Sequence, residues 1–131
     1  MKTMLKMVLV LALAVLPSGC LAAAAAAGAG GAIAYNERGA SSLVNGSVAD
    51  VVADARAVFA AMGITPDGED AGDTNENDRT VSGMRGEMRI RVEIERQSAT
   101  TSEVMVTARE GTLDYDRELA RDILSRIMAR G

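Results

Sequence analysis

Residues 87–97, EMRIRVEIERQ, alternate strictly: Met88, Ile90, Val92 and Ile94 take one parity, and Arg89, Arg91, Glu93 and Glu95 take the other. Successive side chains of a strand point to opposite faces, so this run belongs in a sheet with one face against a core and one face in water. Val104, Val106 and Ala108 repeat the apolar parity a few residues later, and RTVSGM at 79–84 precedes it. Three neighbouring segments of this kind predict an antiparallel meander.

Parity also restricts how these strands can pair, because directly opposed residues share a face. A two-residue turn at Arg85 and Gly86 sets Val81 opposite Ile90 and Gly83 opposite Met88, all inward. For the next hairpin, opposing Ile94 with Val104 and Val92 with Val106 leaves Ser98, Ala99 and Thr100 as a three-residue loop. A two-residue loop there would set apolar against polar residues and is excluded.

Helical spacing brackets the meander. In SVADVVADARAVFAAMG, Val48, Val51, Val52, Ala55, Phe59 and Met62 form one stripe. Ser47 is placed as its N-cap, Asp50 as the reciprocal acid of a capping box, and Gly63 as a left-handed stop. Near the C-terminus, Leu119, Ala120, Ile123, Leu124, Ile127 and Met128 form a second stripe, with Asp114 or Asp116 as cap and arginines gathered at the far end. GASSLV at 39–44 carries a faint strand signal, and Ile64 opens a further strand that runs into the acidic stretch PDGEDAGDTNEND. The expected fold is α+β: an antiparallel sheet of about four strands, with both amphipathic helices on one face, in the order β-α-β-β-β-β-α. Its core is light, with Phe59 as the only phenylalanine of the chain, so modest stability, or support from a partner or a second copy, is expected.

The N-terminus has a different logic. Lys2 and Lys6 precede an apolar run over 7–16, followed by the small residues Ser18 and Gly19, which is the make-up of an export signal. The run is shorter than the roughly 20 residues needed to cross a bilayer, although the uncharged stretch continues to Tyr35 and keeps an uncleaved anchor as an alternative. The only cysteine of the chain, Cys20, stands where the signal ends, in LPSGC. That pattern resembles the lipobox of bacterial lipoproteins, in which the cysteine sulfur receives a diacylglyceryl group and a peptidase then cuts before it, here between Gly19 and Cys20. Pro17 occupies the place that usually holds leucine, with Leu16 one step back. An ordinary secretory cut within the alanines at 22–27 is the competing reading. The resulting expectation is a signal peptide at 1–19, a lipidated Gly/Ala-rich tether at 20–38 and a single periplasmic domain at 39–131. Leu21 is not the aspartate that retains some lipoproteins in the inner membrane, which favours the outer membrane, periplasmic side. In the tether, Ala24, Gly28 and Ala32 have small-xxx-small spacing, which arises readily by chance in so alanine-rich a segment.

Removing the signal takes both lysines of the 14 basic residues, leaving 12 arginines against 18 acids and a net charge of −6. An acidic chain with 2% aromatics lacks both the electrostatic footprint and the stacking residues of a nucleic-acid binder. With no histidine, and no lysine or free thiol after processing, it cannot build a zinc site, a Ser-His-Asp triad, a thiol active site or a Schiff base. The chain is therefore expected to be non-enzymatic and to need no cofactor.

The remaining candidates rest on charge. Asp67, Asp73 and Asp78 offer weak divalent-cation ligands, but a calcium-loop alignment on Gly72 puts Glu69, Ala71 and Asp78 at ill-matched positions, so a solvated loop is expected. Glu93 and Glu95 share a strand face, as the paired carboxylates of a glycosidase would, but they share it with Arg89 and Arg91, which reads more simply as a salt-bridged surface. Arg89, Arg91 and Arg109 are candidates to meet an acidic partner.

The order of features, with the tether GAGGAIAY, the first helix SVADVVADARAVFAAMGI and the final helix LARDILSRIMARG, resembles small bacterial envelope lipoproteins grouped as a domain of unknown function. The resemblance covers nearly the whole chain except the acidic stretch at 67–78. It implies no activity, only a lipid-anchored domain facing the periplasm. Two functions are then expected to compete: a structural or interaction module that binds an envelope component or a second copy, and a periplasmic protein that binds a ligand or divalent cation or, as the lesser form of that rival, cleaves carbohydrate with paired carboxylates.

Overall fold

The computed structural model describes residues 32–67 and 77–131. The segment expected as a signal peptide, Cys20, most of the segment expected as a tether, and part of the acidic stretch, including Asp73, lie outside the described residues.

The chain folds in the order β1 (Ala34–Tyr35), β2 (Gly39–Asn45), α1 (Val48–Met62), β3 (Thr65–Pro66), β4 (Asp78–Arg85), β5 (Met88–Arg96), β6 (Thr101–Glu110), β7 (Asp114–Tyr115) and α2 (Arg117–Arg130). The strands form one antiparallel sheet in the order β1-β2-β6-β5-β4-β3, and β7 pairs with the end of β6 that β2 leaves free. This is the expected α+β fold, with corrections to count and order: the described residues form seven strands rather than about four, and they run β-β-α-β-β-β-β-β-α rather than β-α-β-β-β-β-α. Four of them, β2, β4, β5 and β6, are seven to ten residues long, and the other three have two residues each. Two residues cannot display an alternation, which is why such strands leave no periodic trace. β1 also brings the sheet into the segment assigned to the tether.

Both helices pack on one face of the sheet, α2 over β2 and β6 and α1 over β4 and β5. Between the layers lie Phe59, Ile90, Val92, Ile94, Val104, Val106, Ile123, Leu124 and Ile127, all 2% exposed or less. The start of α1 is fixed by a reciprocal cap: the Asp50 N–H donates to the Ser47 hydroxyl at 3.3 Å, and the Ser47 N–H donates to the Asp50 carboxylate at 3.2 Å. Gly63, at φ 68° and ψ 29°, ends it, and the Ile64 N–H closes back onto the Phe59 carbonyl at 2.9 Å. For α2 the cap is Asp116, which accepts from the Leu119 N–H at 2.9 Å, while Asp114 belongs to β7. Two serines within the layers keep partners: the Ser102 hydroxyl donates to the Gly46 carbonyl at 3.0 Å, and the Ser42 hydroxyl donates to the Ala32 carbonyl at 2.7 Å. The second bond ties Ala32, just before β1, to β2 near the sheet edge. Among the described residues, no helix is long and apolar enough to cross a membrane.

The β5–β6 hairpin has the expected register, Ile94 opposite Val104 and Val92 opposite Val106. The β4–β5 hairpin differs from the expectation by one turn position. Its two-residue turn is Gly86–Glu87, so Val81 faces Val92, Gly83 faces Ile90 and Arg85 faces Met88. Parity permits either arrangement, because the shift moves each partner by two residues. Gly86 decides between them: it is the turn's only residue with positive φ, at +62°, and the type II′ turn of a tight hairpin takes its glycine first.

A side chain has no room at Gly83. A Cβ there would lie 2.8 Å from both the Ile64 Cγ2 and the Thr65 carbonyl oxygen, and 3.1 Å from the Phe59 ring. The strand passes directly beneath the only phenylalanine of the core. Gly83→Ala should therefore destabilise the domain by about 1–3 kcal/mol through overpacking. Urea unfolding of the full chain in mild detergent, followed by circular dichroism, checks this; an unchanged midpoint would refute the close-approach account.

Candidate functional site

The helices cover one face of the sheet, and the described residues leave the other open. Register arranges its outward side chains in rows across β4, β5 and β6. At one end Asp78, Glu95 and Glu103 stand side by side, with Leu43 of β2 next to Glu103. The next row is Thr80, Glu93, Met105 and Ser41, and the one after is Ser82, Arg91, Thr107 and Gly39. At the opposite end Met84, Arg89 and Arg109 are aligned, with Tyr115 of β7 beyond. Along β4, β5 and β6 carboxylates gather at one end of the face and guanidinium groups at the other, with the acid Asp67 beside Arg89 at the edge of the basic half.

Local bonding within the face is sparse. Arg89 approaches Asp67 at 3.7 Å and Arg91 approaches Glu93 at 3.8 Å, both with half-exposed arginines. Contacts of that length in water contribute about 0–1 kcal/mol each. Glu103 accepts from the Gln97 side-chain amide at 3.1 Å. Arg109 makes no ion pair among the described residues, although Arg89 stands directly opposite it on β5. Like charges placed so oppose pairing, and the row Asp78, Glu95, Glu103 does so with the opposite sign. Two open hollows lie on the face, a mainly basic one of about 210 Å³ among Arg38, Arg89, Arg91, Arg109 and Tyr115 that Glu93 also lines, and a mainly acidic one of about 360 Å³ among Asp78, Glu93, Glu95 and Glu103 that Arg79 also lines.

Glu93 and Glu95 do share the outer face, but Glu93 lies beside Arg91 and Glu95 sits in the carboxylate row, exposed on an open sheet. Asp67 accepts from the Ser82 hydroxyl at 2.8 Å and faces Arg89. Since Asp67 is aligned with Ser82, Asp78 stands four residues away along β4, roughly 13 Å at strand spacing, too far to share one ion with it. No group of three or more metal-ligating side chains is found among the described residues. Arg89, Arg91 and Arg109 come together as a basic end, joined by Arg38. Reasoning from sequence missed Glu103 as a member of the acidic end, although the register that opposes Ile94 with Val104 necessarily opposes Glu95 with Glu103.

The carboxylate row yields a test. Removing its central charge by Glu95→Gln should raise stability at low ionic strength, and the gain should shrink as salt screens the neighbours. Thermal melts of both proteins across a salt series measure this; a loss of stability at low salt would contradict like-charge strain. The chain matches no protein-family model, and no curated protein matches it, so the likeness to envelope lipoproteins rests on its sequence features alone.

Proposed function

We propose that this chain is a lipid-anchored protein of the bacterial cell envelope, whose small domain is a non-enzymatic interaction module with the open sheet face as its contact surface. The observation that carries this reading is the sorting of charge on a face that the described residues leave uncovered: Asp78, Glu95 and Glu103 at one end, Arg89 and Arg109 at the other. A purely solvated face would more simply alternate its charges, since opposite charges directly across from each other stabilise a sheet and like charges weaken it. Sorted charges instead create a directional field that can orient a partner.

The anchor is supported by LPSGC with its single thiol at the end of an export signal. Two acyl chains hold a protein stably at a bilayer, and confinement raises the local concentration of the domain, so that a weak interface suffices. The tether joins at Ala32, beside the edge formed by β1 and β2, which keeps the attachment away from the centre of the open face. The proposed location is the outer membrane, periplasmic side.

Cells grown on labelled palmitate should mark the protein, and Cys20→Ser should abolish the mark and shift the protein out of the membrane fraction. A wild-type protein that carries no label, or a variant that still carries it, would refute the anchor.

A further inference from the structure

The charges of the open face are not only sorted; they are antisymmetric about its middle. On β5 the outward residues run Arg89, Arg91, Glu93, Glu95, with the sign changing at Val92. On β6 they run Glu103, Met105, Thr107, Arg109, with the midpoint at Val106. Val92 and Val106 are directly paired, and Val81 and Ala40 continue the same row on β4 and β2. One line across the sheet is therefore the centre of antisymmetry for both central strands.

We infer that the open face docks onto the same face of a second copy of this chain, related by a half-turn about that line. Such a rotation turns the face over and exchanges its two ends. Arg89 then meets Glu95 of the second copy, Arg91 meets Glu93 and Arg109 meets Glu103, and the symmetry makes each of these three contacts twice. Thr107 meets Met105 near the axis, where the packing is least charged. Stacked sheets cross at about 30°, which displaces the outermost rows by roughly one strand spacing. The breadth of the acidic row absorbs this shift: an arginine displaced from Glu95 finds Asp78 or Glu103.

An unrelated acidic or basic partner would account for one end of the face and leave the other repelling it. A second copy uses both. The contacts given up are the long, exposed ones of Arg89 with Asp67 and of Arg91 with Glu93, and Arg109 gives up none among the described residues. The inference rests on the reading of the open face as a contact surface and names its occupant.

The test uses the full chain in cells, with the photoreactive residue p-benzoylphenylalanine at Thr107, or at the exposed Ala49 of α1 as a control for chance collisions. Illumination should give a homodimer band from position 107 and not from position 49. R89E/R91E makes the β5 face wholly acidic and E93R/E95R makes it wholly basic, so each alone should lose the band by about tenfold or more. Co-expression of the two, carrying different tags, should restore a mixed dimer. The fourfold variant R89E/R91E/E93R/E95R, which inverts the antisymmetry and preserves it, should dimerise again, whereas binding to an unrelated partner would not survive that inversion. A band indifferent to these reversals, or a fourfold variant as inactive as its halves, overturns the inference. Crosslinks from position 107 to a different envelope protein alone would overturn self-docking and leave the proposed function standing; a face that crosslinks to nothing overturns both.

Discussion

The pairing of β5 with β6 lays Ile90, Val92 and Ile94 directly beside Ala108, Val106 and Val104, and everything else in the domain rests on that apolar patch. α2 covers it from the β2 side through Ile123, Leu124 and Ile127, and α1 covers it from the β4 side through Val51, Ala55 and Phe59. These side chains are mostly small and β-branched, so the core gains more from close approach than from volume. Gly83 is the clearest instance, since its missing side chain lets Phe59 and Ile64 lie against the strand backbone.

The same pairing that closes the core arranges the outer face. Because a strand's side chains alternate, a register chosen to match valine with valine on one side imposes all the pairings on the other. Glu95 and Glu103 are neighbours because Ile94 and Val104 are, and Arg89 faces Arg109 because Ile90 faces Ala108. Each of these like-charge pairs works slightly against the sheet, yet the apolar contacts on the inner side are far stronger than exposed charge repulsion. The core thereby holds in place a surface that is locally unfavourable to its own sheet.

Much of this could be read in the chain. The capping box of Ser47 and Asp50, the left-handed Gly63, both helical stripes and the register of β5 against β6 are local or parity-bound features, and such features survive folding unchanged. What could not be read has equally specific causes. β1, β3 and β7 are two residues long and exist because longer strands offer them a free edge. The β4–β5 turn sits one residue further along because two registers satisfy parity and only the backbone angle of Gly86 chooses between them.

The sequence by itself determined the alternation, the stripes, the absence of histidine and the single cysteine just after an apolar run, because composition and spacing need no neighbours to have their meaning. Only the tertiary structure decided that Asp78 of β4 joins Glu95 and Glu103 in one row, and that both helices pack on the far side and leave these rows open. Signs that look balanced along each strand become a pattern once the strands are placed side by side, and that placement is set by long-range contacts between buried residues on the opposite face.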